Sequence, residues 1–266
     1  METVRLSSFQ EFEEWVNKLQ AKQRMAKVGS YEHFSPLLYR GQSEESWPLV
    51  STLERHPDSP KTLDDYLVSV NRIKLNVELI SGVSWPPIMD RGKVIKESYQ
   101  TFHAHLPSLE YLVYLRHHGF PSPLLDWTKS PYIAALFAYS SCNDDGEIAI
   151  FVYQEYLGVG KLLASESSFI HGVGPYINTH KRHTLQQAQY TLCLKHIDRE
   201  DFSIQPYESL PNREDQDYIY KVTLPKSQRY EILAKFEQYN LNLYSVLGDE
   251  ESLMKTLAVR QYNLPK

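Results

Sequence analysis

Residues 123–140, "PLLDWTKSPYIAALFAYS", place a polar trio between two strongly apolar runs. The first run, "PLLDWT", is short, with an aromatic and a β-branched residue, and reads as a strand. The second begins Ser130-Pro131, the residue types favoured at the cap and first position of a helix, and runs on as "YIAALFA". The chain therefore passes directly from a buried strand into a buried helix, with Asp126, Trp127 and Thr128 at the junction. Strand periodicity puts Leu125 and Trp127 on one side and Leu124, Asp126 and Thr128 on the other, so the carboxylate and hydroxyl project together. The plain alternative is a local turn in which Asp126 and Thr128 only satisfy amides ahead of Ser130.

The remaining periodicities fill in a mixed architecture. Phe9, Phe12, Trp15, Val16 and Leu19, with Ser8 and Glu11 ahead of them, predict a capped helix over residues 8–23. "HFSPLLYRGQ" predicts a strand, and "WPLVSTLERH" a turn and a brief helix. Long helices are expected over residues 61–82 and in "PSLEYLVYLRHHG". "GEIAIFVYQ", "QAQYTLCLK" and "DYIYKVTLP" are apolar, aromatic and β-branched, as strands are. Two amphipathic helices close the chain. Residues 155–180 lack periodicity and predict a long loop. The fold class that follows is α+β: a helix within residues 1–30, then one domain over residues 31–266 with helices at both ends.

Composition removes several classes of function. With 266 residues, 42% of them hydrophobic and 12% aromatic, the chain has ample material for a core. A net charge of -5 carries no bulk sign of a nucleic-acid coat. The two cysteines, Cys142 and Cys193, form no metal knuckle or disulfide framework. The opening residues lack the blocks of a secretion signal, and no apolar run reaches a membrane span, so a cytoplasmic protein is expected.

The polar groups that break the apolar pattern are the candidates for chemistry. Arg40 ends a strand and is followed by Gly41 and Gln42, an arrangement that can aim a guanidinium at an anion or form an ordinary ion pair. His117 and His118 end a helix, where positive charge is favoured and an anion can be met. Together with His103 and His105 they would suit metal-assisted hydrolysis, but a zinc-type spacing is lacking and no metal site is assigned. Lys181, Arg182, His183 and Gln186 form a basic cluster at a strand entrance that could receive phosphate. No phosphate-cradling glycine loop and no serine nucleophile elbow is present.

The order "YRGQ", "WPL", "LEYLVYLRHHGFPSPLLDWTKSPYIAALFA", "RHTLQQAQYTL" over residues 37–194 resembles the FRG domain family. Arg116, Ser122-Pro123 and Ala188 depart from that family's usual Gln-His, Thr-Arg and Gly. The FRG pattern is in turn similar to the ADP-ribosyltransferase fold, which implies a mixed or antiparallel split sheet. It also implies NAD as substrate. On this likeness Arg40 grips phosphate or ribose, Thr128 orders its strand and the nicotinamide ribose, and Tyr39, Trp47 or Trp127 stacks on nicotinamide. Gly41, Gln42, His117, His118, Arg182 and Gln186 complete the expected binding set. Such enzymes break the nicotinamide bond through an oxocarbenium-like state beside a carboxylate. Where transferases carry a strand glutamate, Gln186, Gln187 and Gln189 stand here, which leaves Asp126 as the expected carboxylate, with Glu155 and Glu166 as alternatives. The implied activity is transfer of ADP-ribose to a nucleic acid or protein by a toxin or antiphage effector held in check by a neutralising partner. NAD hydrolysis is a variant of it, and a non-catalytic nucleotide-, RNA- or protein-binding module is the rival.

Overall fold

The computed structural model describes residues 1–26, 33–88, 106, 108–142, 145–158, 161, 167–173, 177, 181–197, 202–211, 213 and 215–262. The elements are β1 (Glu2–Arg5), α1 (Phe9–Ala26), β2 (His33–Phe34), β3 (Leu38–Gln42), α2 (Leu63–Ser81), α3 (Leu109–His117), β4 (Leu125–Thr128), α4 (Pro131–Ser140), β5 (Glu147–Gly158), β6 (Phe169–Val173), α5 (Arg182–Leu185), β7 (Ala188–His196), β8 (Phe202–Ile204), β9 (Gln216–Pro225), α6 (Arg229–Gln238), α7 (Leu243–Leu247) and α8 (Glu250–Tyr262). Among the described residues no helix is long and apolar enough to cross a membrane.

The strands form one mixed sheet in the order β1-β9-β5-β3-β4-β7-β6, with β2 added to β5 and β8 to β7. Among the described residues, only β1 runs parallel, against β9; the other ladders are antiparallel. The sheet rolls on itself. Although β6 lies at the far end of the order from β9, the Ile170 N–H donates to Asp217 Oδ2 at 3.1 Å. Lys161 Nζ bridges the Ile170 carbonyl and Asp217 Oδ1, the latter at 2.6 Å. Tyr153 donates to the same Oδ1 at 2.9 Å. Side chains therefore close a seam that the backbone ladders leave open.

Rolling creates an inner and an outer face. Inside are Leu125, Trp127, Ala149, Phe151, Tyr153, Ile170, Cys193 and Ile219 from the strands, with Leu49 from a loop and Tyr207 from a single 3-10 turn after β8. Outside, α2 and α3 cover the β4–β7–β6 side. α1, α4, α6 and α7 cover the β3–β5–β9 side. The closest approach is at Gly41, where an added Cβ would lie 1.9 Å from the Ala134 carbonyl oxygen, so α4 rests directly on the β3 backbone. Ser130 caps α4 by accepting from the Ile133 N–H, with Pro131 following, as its sequence requires.

Several expectations change. The brief helix in "WPLVSTLERH" is a run of turns: Ser51 and Glu54 make the reciprocal contacts of a helix start, but the His56 N–H then closes on the Leu53 carbonyl three residues back, as in a turn. Residues 155–180 hold the end of β5 and all of β6 rather than a continuous loop, since the Phe169–Val173 stretch finds its partner in β7. The N-terminal residues are built into the domain: β1 extends the sheet beside β9, and Phe9, Phe12 and Val16 share a core with Tyr139 and Phe236. His103, His105 and Glu166 lie outside the described residues.

Candidate functional site

Register decides which side chains meet. Tyr39 pairs with Thr128, and the β3–β4 ladder has no other bridge. By alternation, Arg40 and Gln42 take the inner face with Trp127, while Tyr39, Asp126 and Thr128 take the outer one. Arg40 thus lies on the opposite face from Asp126 and Thr128, the residues expected to share the reacting centre with it.

On the inner face, Arg40 Nη1 donates to the main-chain carbonyl of Asp126 at 2.8 Å, supplying from a side chain the bond the short ladder omits. Its Nε is buried with no partner. Burial pulls the Arg40 guanidinium down to about 10, against the pull of Asp126 in the other direction, so it stays charged at neutral pH. Trp127 donates from Nε1 to Thr191 Oγ1 at 2.7 Å, and the Thr191 and Tyr207 hydroxyls lie 2.6 Å apart. Trp127 also packs on Tyr153, ring centres 5.5 Å apart. Gln189 pairs with Trp127 and shares its face.

On the outer face, the Asp126 carboxylate is held at both oxygens by Arg116, Nε to Oδ1 and Nη2 to Oδ2, each at 2.5 Å. Arg116 Nη1 also donates to Thr52 Oγ1 at 3.1 Å, and Thr52 ties to the Ser122 main chain. Burial alone would raise the Asp126 carboxyl, but Arg116, Arg40 and His117 outweigh it and hold the group below its ordinary value. Asp126 is a structural anion that locks α3 to β4, and its charge is already matched. Thr128 donates to the Gln186 carbonyl at 2.6 Å and accepts from the Ser130 N–H at 3.1 Å, joining the β7 entrance to the α4 cap.

The other expected residues divide similarly. Tyr39 is buried on the outer face, its hydroxyl accepting from Gln20 Nε2 at 3.3 Å and pushed by burial to about 12. Trp47 is 50% exposed on the loop after β3. His117 Nε2 and His183 Nδ1 approach the Tyr190 hydroxyl at 3.1 and 3.3 Å. Burial lowers the His117 imidazole below its usual value. His118 stacks on Tyr114 and donates from Nδ1 to its carbonyl. Arg182 pairs with Asp249 and donates to the Leu247 carbonyl, which fastens α5 to the turn before α8. Among the described residues no group of three or more His, Cys, Asp or Glu is arranged to hold a metal ion.

Two other carboxylates reach the inner face. Glu155, on β5, extends toward Gly172, where an added Cβ would lie 3.6 Å from both its oxygens. Burial raises its carboxyl, with Lys161, 3.7 Å away, pulling the other way. Glu54 was not anticipated; it accepts the Ser51 N–H at 2.7 Å, and its charge, like that of Arg40, reaches the Tyr207 phenol. Tyr207 and Thr191 were also missed. Both are ordinary core types in sequence; the β4–β7 ladder brings Thr191 beside Trp127, and Tyr207 reaches them from the turn after β8.

This region coincides with a recognised family. Residues 35–147 match the FRG domain. The match takes in β3 with Arg40, the following loop, α2, α3, β4 and α4, and ends at the first residue of β5. No curated protein and no solved structure gives a significant match.

Proposed function

We propose that the FRG-matching region binds NAD on the inner face of the sheet and transfers its ADP-ribose to a nucleic acid or protein. The observation that carries this reading is Arg40, a charged guanidinium fixed by one bond to the Asp126 carbonyl while its buried Nε has no partner. A donor fork held in place with spare capacity suits the pyrophosphate or ribose oxygens of a dinucleotide. Trp127 and Gln189 lie on the same face, so an aromatic ring and an amide flank the guanidinium. In this reading Arg116 and Asp126 are the scaffold behind Arg40, and Glu54 or Glu155 supplies the carboxylate that an oxocarbenium-like state requires. A toxin or antiphage effector with a neutralising partner is the corresponding biological role.

A second reading rests on a specific observation. Asp126 is committed to Arg116, and the β7 entrance carries Gln187 and Gln189 rather than glutamate. That pattern favours a module that binds a nucleotide without turnover. The deciding experiment is incubation of purified protein with NAD labelled in the adenylate and with cell extract. Label on macromolecules supports transfer, free ADP-ribose alone supports hydrolysis, and binding without either product supports the module. If NAD neither binds nor reacts, both readings fail.

A further inference from the structure

Among the described residues, three polar side chains on the inner face carry a buried atom with no partner: Arg40 Nε, Gln42 Oε1 and Thr223 Oγ1. The ladders place them together. Gln42, Ala149 and Thr223 stand in one row across β3, β5 and β9, and Arg40, Phe151 and Lys221 form the next. Gln42 is 6% exposed and Thr223 0%, so solvent does not satisfy them. Native proteins rarely leave such atoms unpaired, because each has lost its water without replacement.

Residues 43–48 cross over this row as a strap. Glu45 donates its N–H to the Glu147 carbonyl at 2.9 Å, and Gln42 Nε2 donates to the Pro48 carbonyl at 3.4 Å. The strap is fastened from β9 and the residue after it, by Lys221 to Glu45 at 3.0 Å and by Lys226 to Glu44 at 2.6 Å. Both glutamates are about a third exposed at the side chain, 35% and 34% for Glu44 and Glu45, so these ties are open to water on one side. The Lys221–Glu45 tie is the looser of the two, because the Lys226 side chain is only 1% exposed and its pair with Glu44 is the firmer anchor.

We propose that Gln42 and Thr223, beside Arg40, form a subsite for a primary carboxamide, covered by the strap of residues 43–48. A carboxamide has an N–H donor beside a carbonyl acceptor. The donor answers Gln42 Oε1, and the carbonyl answers the Thr223 hydroxyl, so one planar group satisfies both atoms, while Arg40 Nε stays available to the ribose or pyrophosphate. Ala149, the small residue between Gln42 and Thr223, leaves the row without a bulky side chain at its centre. This deepens the reading above, in which the ligand is NAD, whose nicotinamide carries such a group. Entry requires the strap to lift at its Glu45 end, where Lys221 can exchange its glutamate for solvent while the Lys226–Glu44 pair holds the other end.

The test uses benzamide as the simplest carboxamide and benzoate as a matched acid lacking the donor, each followed by thermal unfolding of the full chain. Benzamide at about tenfold excess over its dissociation constant is expected to raise Tm by roughly 3–5 °C, and benzoate to leave it unchanged. Thr223→Val and Gln42→Leu, which remove the orphaned atoms, are expected to fold and to lose the benzamide shift. No shift in the unmodified protein, an equal shift with benzoate, or a full shift in both variants overturns the subsite. NAD is run alongside. An NAD response lost in Arg40→Ala but no benzamide response rejects the subsite and keeps the NAD reading; a benzamide response without an NAD response does the reverse.

Discussion

Replacing Asp126 by Asn separates the two roles that the strand-to-helix junction offers. Asn is nearly isosteric, but it returns only a neutral oxygen to a guanidinium that the carboxylate holds at both oxygens. The Arg116 side chain is 10% exposed and that of Asp126 37%. Breaking a fully buried pair costs about 3–5 kcal/mol, and the partial exposure of Asp126 reduces that to roughly 2–3 kcal/mol. At about 2–4 °C per kcal/mol for a chain of this size class, Tm at neutral pH falls by roughly 5–10 °C. The pH dependence carries a sign. The Asp126 carboxyl is lowered in the folded state, so its contribution is present above its ordinary value of about 3.9 and is lost as pH falls through the lower folded value. Thermal unfolding between neutral and acid pH should therefore show the variant and the parent converging at the acid end. A Tm within a degree of the parent at neutral pH, or an undiminished gap in acid, would refute the claim that Asp126 acts through Arg116.

Two further substitutions probe the frame around the site. Gly41→Ala drives a methyl group into the Ala134 carbonyl, 1.9 Å away, and should cost at least about 3 kcal/mol in urea unfolding, the upper end of overpacking; a loss under about 1 kcal/mol would mean that α4 does not rest on β3. Lys161→Met leaves Asp217 buried beside Tyr153 with its cation removed, and should cost roughly 3–5 kcal/mol while speeding amide exchange in β6. Unchanged exchange in β6 would show that the seam does not close the sheet.

Local chemistry made much of this architecture legible, and long-range register hid the rest. Ser130-Pro131 announced α4, and the alternation in "LLDWT" correctly opposed Trp127 to Asp126 and Thr128. The face of Arg40 was not legible, because it follows from the pairing of Tyr39 with Thr128, a partner far along the chain. Nor was the Arg116–Asp126 pair, which requires α3 to fold back over β4. β1 escaped notice since four residues rich in charge take strand geometry only beside β9, more than two hundred residues away. β6 was masked by weak periodicity, and Glu54 and Tyr207 gain meaning only where the rolled sheet collects them against Arg40.

The central claim is that Arg40, on the inner face, is the ligand-gripping residue, while Asp126 is its scaffold. Titration calorimetry of NAD into the parent, Arg40→Ala and Asp126→Asn tests it most directly. The account predicts binding by the parent, loss of at least roughly tenfold in affinity on removing the guanidinium, consistent with about 1.5–3 kcal/mol for a charge-assisted bond, and retained binding by Asp126→Asn at a temperature where it is folded. Equal binding by Arg40→Ala and the parent, or loss confined to Asp126→Asn, would contradict it.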